Sequence, residues 1–450
     1  MTKEFMHIGL DDTDSPDKGC TTYAAALLVD KLQKLECKFI DYPNLIRLNP
    51  NVPWKTRGNG ALCIRIEYDE SIEERIKEVI ISTVEEEADL RYKGTDPGVI
   101  FLKGKKVRKE ISEFAETTIT GIADLRKALK LVKKSQAVAV GYKRGRGIIG
   151  SLAAIGETLD KDYTFELLAY RTLENRGSKR KIDESSVIEM SQATKPYTFN
   201  NFDSKNNRNL IAPRGPDPIL LGIRGESPTI VRRAFKMIKA FEPVERWVIF
   251  RTNQGTDAHL RCVQTIKQIE KYNAVIVKGT VATNPIIIPR RHVIFSIKDK
   301  SGQVDCAAYE PTGSLRKTAR KLIVGDKIEV FGGVCVSSKH PPTINLEKIN
   351  LLKLVPKIIL RNPICFKCGK RTKSNGKNKG FKCRRCSLKY AEARKSRLEV
   401  KREIKEGLYI TSPRSQRHLT KPLRRYGMEK TSRENMEPSK GRLIAQWYGH

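Results

Sequence analysis

Four cysteines fall into two pairs, Cys365-x-x-Cys368 and Cys383-x-x-Cys386, with fourteen residues between the pairs. Two such knuckles at this spacing supply four thiolates to one tetrahedral Zn2+. Lys367, Lys370, Lys382, Arg384 and Arg385 surround them, and positive charge favours the thiolate form. A redox function would need only one pair, so the zinc is expected to be structural. Cys20, Cys37, Cys63, Cys262, Cys306 and Cys335 lack ligand spacing, and most of them read as small buried hydrophobes.

The second focus is Asp11-Asp12-Thr13-Asp14. Three carboxylates this close repel one another, and the end of a buried strand does not collect them without a cation. Mg2+ carried in with a nucleoside triphosphate is the natural occupant, and an exposed Asx-type turn is the alternative. Downstream, Gly19-Cys20-Thr21-Thr22 opens a helix, whose N-terminus is either an anion site or an ordinary threonine cap. Asp11, Asp12, Thr13, Asp14, Thr21 and Thr22 together describe a cradle for a Mg-nucleotide, although no GxxxxGK[ST] loop occurs.

Three further loops carry chemistry. In Trp54–Gly60, Lys55, Arg57 and Gly58 form a polar turn that brings two bases to phosphate, or a plain hairpin turn. Gly145-x-Gly147-x-x-Gly150 lies between a strand and a helix, but the next strand ends in Tyr170-Arg171 with no acid for a ribose. That excludes NAD. Arg144 and Arg146 then point to RNA phosphate or triphosphate, with close helix packing as the alternative. Around Arg214–Ser227, Arg224 is placed to meet phosphate, and Asp217 and Glu226 to meet a small cation. The chain has six histidines and no HExxH motif, which weakens the hydrolase readings that need them.

These residues need a scaffold. Residues 6–12 read as a strand, Thr21–Leu35 as a helix, 38–48 and 60–68 as strands, 71–88 as a helix and 98–103 as a strand. The order β-α-β-β-α-β predicts an α+β unit. A second α+β unit follows, with a helix over 123–135 and a polar, Asn- and Pro-rich stretch over 177–218 holding a hairpin. Ala274–Ile288, His292–Ile297, Val304–Tyr309, Lys327–Val336 and Ile344–Leu354 alternate like strands, with a helix near Leu315–Leu322. Five strands with a helix after the third is the OB-fold order. The zinc module comes next, and a basic helix and tail close the chain.

At 450 residues the chain is long enough for about three domains. Its 86 Lys and Arg against 51 Asp and Glu give a net charge of +35, which favours a polyanionic partner. Residues 357–450 hold 27 Lys and Arg and 7 Asp and Glu, hence +20 of that excess. No apolar run is long enough to span a membrane, and MTKEFMHIGLDDTD lacks a signal-peptide core. The expected compartment is the cytoplasm.

HIGLDDTDSPDKGCTTY, RLNPNVPWKTRGNGA, GRGIIGSLAAIG, LLGIRGESP and FRTNQGTDAHL, followed by the OB-like segment and the paired knuckles, strongly resemble the archaeal tRNA-isoleucine agmatidine (2-agmatinylcytidine) synthetase family. The resemblance implies a kinase-like domain (1–125), a ferredoxin-like domain (126–268), an OB fold (269–357) and a zinc ribbon (358–392), followed by the basic segment (393–450). It implies an enzyme that uses ATP, converted to AMP, to join agmatine to C2 of the wobble cytidine of an isoleucine tRNA with anticodon CAU. The C2 oxygen is phosphorylated and then displaced by the amine. It also implies nucleotide binding at Asp11, Asp12 and Asp14, phosphorylation of Thr21, and a triphosphate-facing guanidinium at Arg224. Asp217 and Glu226 are the candidates for agmatine; Arg144, Arg146, Lys370, Arg384 and Arg385 are those for tRNA. The competing reading is a non-enzymatic single-stranded nucleic-acid-binding protein. It suits the OB fold, ribbon and charge, but leaves Asp11, Asp12, Asp14 and Thr21 unexplained.

Overall fold

The structure is a computed structural model that describes residues 2–56, 58–337, 340–430 and 447–449. Strand β1 (Lys3–Asp11) is buried at its centre and pairs antiparallel with β3 (Gly60–Asp69) and β4 (Gly98–Lys103). Its apolar residues Met6, Ile8 and Leu10 alternate onto one face, as the pleat requires. Helix α1 (Thr21–Lys34) follows the acidic loop, and β2 (Asn44–Arg47) pairs with β3. Helix α2 (Glu73–Glu87) precedes β4. This is the predicted β-α-β-β-α-β order.

Helix α3 (Lys109–Thr120) falls where the sequence reading placed none. It buries Ile111, Phe114, Ala115, Thr118 and Ile119, a helical stripe. Helix α4 (Leu125–Lys134) then leads into β5 (Val138–Gly141), which pairs with β4. Helix α5 (Gly147–Gly156) packs on the same sheet, against β1, β3 and β4, and against α3.

The second unit supplies β6 (Thr164–Arg171), helix α6 (Glu184–Ala193), β7 (Ile219–Gly225), α7 (Pro228–Lys236) and β8 (Val244–Thr252). Helix α6 lies in the polar, Asn- and Pro-rich stretch, whose expected hairpin is the antiparallel pair Phe202–Asp203 and Arg208–Asn209; Asp183 caps the helix by accepting from the Ser185 backbone N–H. The two units share one sheet, because β8 runs parallel to β2 at Arg251 and Thr252. The sheet has eleven strands in the order β5-β4-β1-β3-β2-β8-β6-β7, completed by short Thr198–Phe199, Lys38–Phe39 and Tyr448–Gly449 segments.

Strands β9 (Ala274–Val281), β10 (His292–Lys298), β11 (Gln303–Ala308), β12 (Lys327–Ser337) and β13 (His340–Lys353) close a barrel around their own core. Closure is made by β9 pairing with both β12 and β10. Helix α8 (Ser314–Ala319) lies between β11 and β12, the OB order. The zinc module is a small three-stranded sheet on a two-stranded stem formed by Lys357–Arg361 and Ser396–Val400.

The expected basic helix after the ribbon is absent among the described residues up to 430. Gly407–Ile410 instead adds a strand to β13, and residues 411–430 run back as a strap with two short 3-10 turns to the acidic cleft. The strap lacks a helical apolar stripe; side-chain ion pairs fix it. No helix among the described residues is long and apolar enough to cross a membrane.

Candidate active site and zinc module

The cleft forms where β1 ends. Asp11, Asp12 and Asp14 line it with Leu48, Trp54, Lys55, Ile122, Arg146 and Gly150, in a space of about 690 Å3. Asp12 adopts a left-handed φ of 59°, which an Asp tolerates better than most residues. Its Oδ2 accepts from Arg146 Nη2 at 2.9 Å and from the Asp96 backbone N–H at 3.2 Å. Burial, then the Asp12 charge, pushes the Asp11 carboxyl well above the usual range. Burial also raises Asp12, against the opposing pull of Arg146. These acids therefore gain from added positive charge, and the donor set, hard carboxylate oxygens, fits Mg2+.

The glycine motif serves this cluster. A Cβ at Gly147 would lie 2.4 Å from Gly98 N, and one at Gly150 would lie 1.8 Å from Asp11 Oδ2. Close packing of α5 is thus one use of the glycines. The loop arginines meet acids and backbone carbonyls of the neighbouring loop. Arg144 pairs with buried Asp96 at 2.8 Å and donates to Lys93 O, and Arg146 donates to Gly94 O as well as Asp12. Their charge faces Asp96 and Asp12, while Arg146 lines the first lobe and the Arg144 side chain stays 61% exposed.

A second lobe of about 970 Å3 shares Asp14, Gly58 and Gly60 with the first. It is lined by Thr21, Thr22, Arg47, Glu166, Asp217, Arg224 and His418. Thr13 is fully buried and donates its hydroxyl to Thr21 Oγ1 at 3.1 Å, which orients Thr21. Cys20, not a threonine, is the α1 N-cap, and it makes no side-chain cap bond. Arg224 Nε donates to Glu166 Oε1 at 2.9 Å, and Arg47 Nη2 lies 3.7 Å from Glu166 Oε2. Burial opposes ionisation of Glu166, but Arg224 and Arg47 more than offset it and hold its carboxyl below the ordinary range. His418 Nδ1 accepts from Arg224 Nη2 at 3.0 Å. Burial, Arg47 and Arg224 push His418 well below the ordinary histidine value, which keeps it neutral.

The two expected acids each have a cationic partner. Asp217 lines the second lobe but pairs with Arg180 at 3.3 Å. Glu226 is not among the residues lining either lobe and is held by Arg425 and Lys430. Lys55 is on the wall of the first lobe, and a Cβ at Gly58 would come 3.1 Å from His418 Nε2 and 3.2 Å from Arg47 Nη1. Arg57 lies outside the described residues. Arg47, Glu166, Asp96 and His418 escaped the sequence reading: each is a single polar residue inside a strand, or in a segment without periodicity. The buried acid in YTFELLAYR was the one legible hint of Glu166.

In the zinc module the four sulfurs of Cys365, Cys368, Cys383 and Cys386 lie within 4.8 Å of one another. Tyr390 Oη donates to Cys365 Sγ at 3.1 Å, and the Cys386 backbone N–H donates to Cys383 Sγ. Four converging sulfurs with outer hydrogen bonds fit structural Zn2+. Lys370, Arg384 and Arg385 are exposed around it.

Comparison with known proteins agrees with this layout. The chain matches the TiaS TCKD domain over residues 7–144 and the TiaS FLD domain over 145–259. It matches the OB-fold nucleic acid binding domain over 266–352 and the TiaS C-terminal zinc ribbon domain over 362–404. It is 45% identical to the isoleucine-tRNA 2-agmatinylcytidine synthetase TiaS of Methanocaldococcus jannaschii, covering 93% of this chain and 98% of that one. The Methanosarcina mazei protein of the same name is 40% identical over 93% and 97% of the two chains. A solved complex of TiaS with isoleucine tRNA and ATP superposes with a TM-score of 0.85 at 38% identity, over 93% of this chain and 97% of that one. A complex of TiaS with isoleucine tRNA, AMPCPP and agmatine gives 0.82 at 36% identity over the same shares. With family domains in order along its length and full-length relatives at such identity, this chain belongs to the isoleucine-tRNA 2-agmatinylcytidine synthetase (TiaS) family.

Proposed function

We propose that the chain is an ATP-dependent ligase that joins agmatine to C2 of the wobble cytidine of the AUA-reading isoleucine tRNA. The observation that carries this reading is the two-lobed cleft. A polyacid lobe opens through Asp14 and Gly58 into a lobe that holds Thr21, Arg224 and the buried Glu166. A passive nucleic-acid binder has no use for such a centre.

Asp11, Asp12 and Asp14 would hold Mg2+, which when bound neutralises the triphosphate. Leu48, Trp54 and Ile122 offer an apolar flank beside these acids, suited to a purine. Lys55 and Arg224 face phosphate, and Arg57 joins them on the sequence reading. Phosphoryl transfer depends mainly on positioning and charge stabilisation, and the Asp12–Arg146 and Arg224–Glu166 pairs fix those groups in advance. Phosphorylation of the cytosine C2 oxygen turns a poor leaving group into phosphate. The agmatine amine then forms the C2–N bond as the C2–O bond breaks. Thr21, oriented by Thr13, is a phosphorylation site in this scheme. Agmatine is a dication, and Asp217 and Glu166 are the lobe acids that meet it. The cytidine must leave its stack to enter, and the OB barrel, Lys370, Arg384 and Arg385 hold the remaining tRNA.

Purified protein would be incubated with Mg-ATP, labelled agmatine and an isoleucine tRNA bearing a wobble cytidine. Label in the RNA that requires both ATP and that cytidine is the expected result. Tight tRNA binding with neither label nor AMP would return the reading to a binding protein.

A further inference from the structure

Arg214 opens the polar segment 214–227, yet it lines neither lobe of the ligase centre. It lines a separate open crevice of about 2030 Å3 on the second α+β unit. Lys179, Lys181 and Arg208 line the same crevice, and Glu184 is the one acid among its described lining residues. Among the described residues, none of these four cations has a carboxylate partner, in contrast to Arg144, Arg146 and Arg224. Arg208 Nε is buried there without a hydrogen-bond partner.

The crevice is built, not floppy. Arg180 donates to Ile219 O, Gly215 O and Asp217 O at 2.6, 3.0 and 2.9 Å, tying the Arg214 loop to the Lys179–Lys181 segment. The Phe241 backbone N–H donates to Lys181 O at 2.8 Å, and Ile182 bridges Ala240. Phe241 is therefore fixed at the rim while the residue as a whole is 70% exposed. An aromatic residue held in water beside four cations without carboxylate partners offers a stacking face and positive charge together.

The crevice also adjoins the catalytic cleft. Pro213 lines both, and residues 210–217 form the wall between them. We infer that this crevice binds the single-stranded RNA next to the base presented to the cleft, with Lys179, Lys181, Arg208 and Arg214 on phosphates and Phe241 stacked on a flanking base. Charge and a stacking platform are what single strands require. The inference rests on the tRNA-modifying reading above.

The test uses the full chain with Arg208→Gln/Arg214→Gln and, separately, Phe241→Ala. All three positions sit at the crevice surface, outside the ligase centre. Affinity for the full-length tRNA would be measured across a salt series, with phosphate protection mapped on the same RNA. Removing two single-strand contacts lowers the salt slope by about 1.4 and weakens binding roughly tenfold near physiological salt. Protection should vanish only at phosphates beside the wobble position, Phe241→Ala should weaken binding without changing the slope, and Mg-ATP affinity should hold. An unchanged slope and map, or protection lost at the acceptor arm instead, would overturn the inference. A wild-type protein that failed to protect the anticodon loop at all would instead remove the tRNA-modifying reading on which it stands.

Discussion

A methyl group at position 150 would sit 1.8 Å from Asp11 Oδ2, so the helix cannot accept a side chain there without moving the acid. Misplacing a reacting group by about 1 Å costs on the order of a hundredfold in rate. Gly150→Ala should therefore lose about that much ligase activity while tRNA affinity stays within twofold, as single-turnover assays and binding would read. Asp12→Asn removes charge rather than position. It should abolish modification with tRNA affinity nearly intact, and a large affinity loss would assign the acids to folding. A different residue contributes to acid stability, as does His418. His7 is buried against Arg65, and burial, then Arg65, pushes its pKa down to about 3. An unfolded chain takes up that proton near pH 6.5. Below that value the unfolded state binds more protons, so stability present above pH 6.5 is lost as the pH falls toward 3. His7→Gln should flatten the decline of the thermal midpoint between pH 6.5 and 4.

The strap shows an element placed by charge. Arg425 is fully buried and makes hydrogen bonds to Asp162 and Glu226, while Lys421 and Lys430 approach the same two acids. Lys348, also buried, donates to Lys421 O and ion-pairs with Asp257. Removing one partner of a buried pair costs about 3–5 kcal/mol. Arg425→Met should cost near the lower end, because Lys421 and Lys430 remain. Adding Asp162→Asn and Glu226→Gln should recover much of it in denaturant melts. Activity should fall further than stability predicts, since His418 on Arg224 lies in the same strap. These placements explain what was legible. β1, α1, β4 and the barrel strands follow from apolar period and were read in place. Helix α3 carries its stripe at Ile111, Phe114, Ala115, Thr118 and Ile119, but threonines and acids dilute it. The strap has no period to read: Lys421 and Arg425 look like solvated tail in one dimension and are buried in three. Glu166 and Arg47 were missed for a related reason, since only tertiary packing shows that each charge has an answering one.

At the scale of the whole molecule, the zinc module stands apart from the catalytic body. Among the described residues its strands pair only with each other, on a stem that leaves the barrel at Lys357 and returns near Val400. Its interior is small: Cys365, Thr372, Phe381 and Cys383 are its buried residues, and Phe366 is 83% exposed. So little apolar burial cannot hold a fold of this size without metal. The main sheet and the barrel have separate cores of their own. Zinc removal by a chelator should therefore unfold the ribbon alone. The main thermal transition and Mg-ATP affinity should persist, while tRNA affinity drops, because Lys370, Arg384 and Arg385 lose their common scaffold. Cys365→Ser should reproduce that pattern without chelator. The strap adds a stricter demand. It follows the ribbon in the chain yet docks on Asp162, Glu226 and Arg224, so a ribbon that merely unfolds should leave His418 in place. Loss of nucleotide affinity together with zinc would show instead that the strap depends on the ribbon's fold.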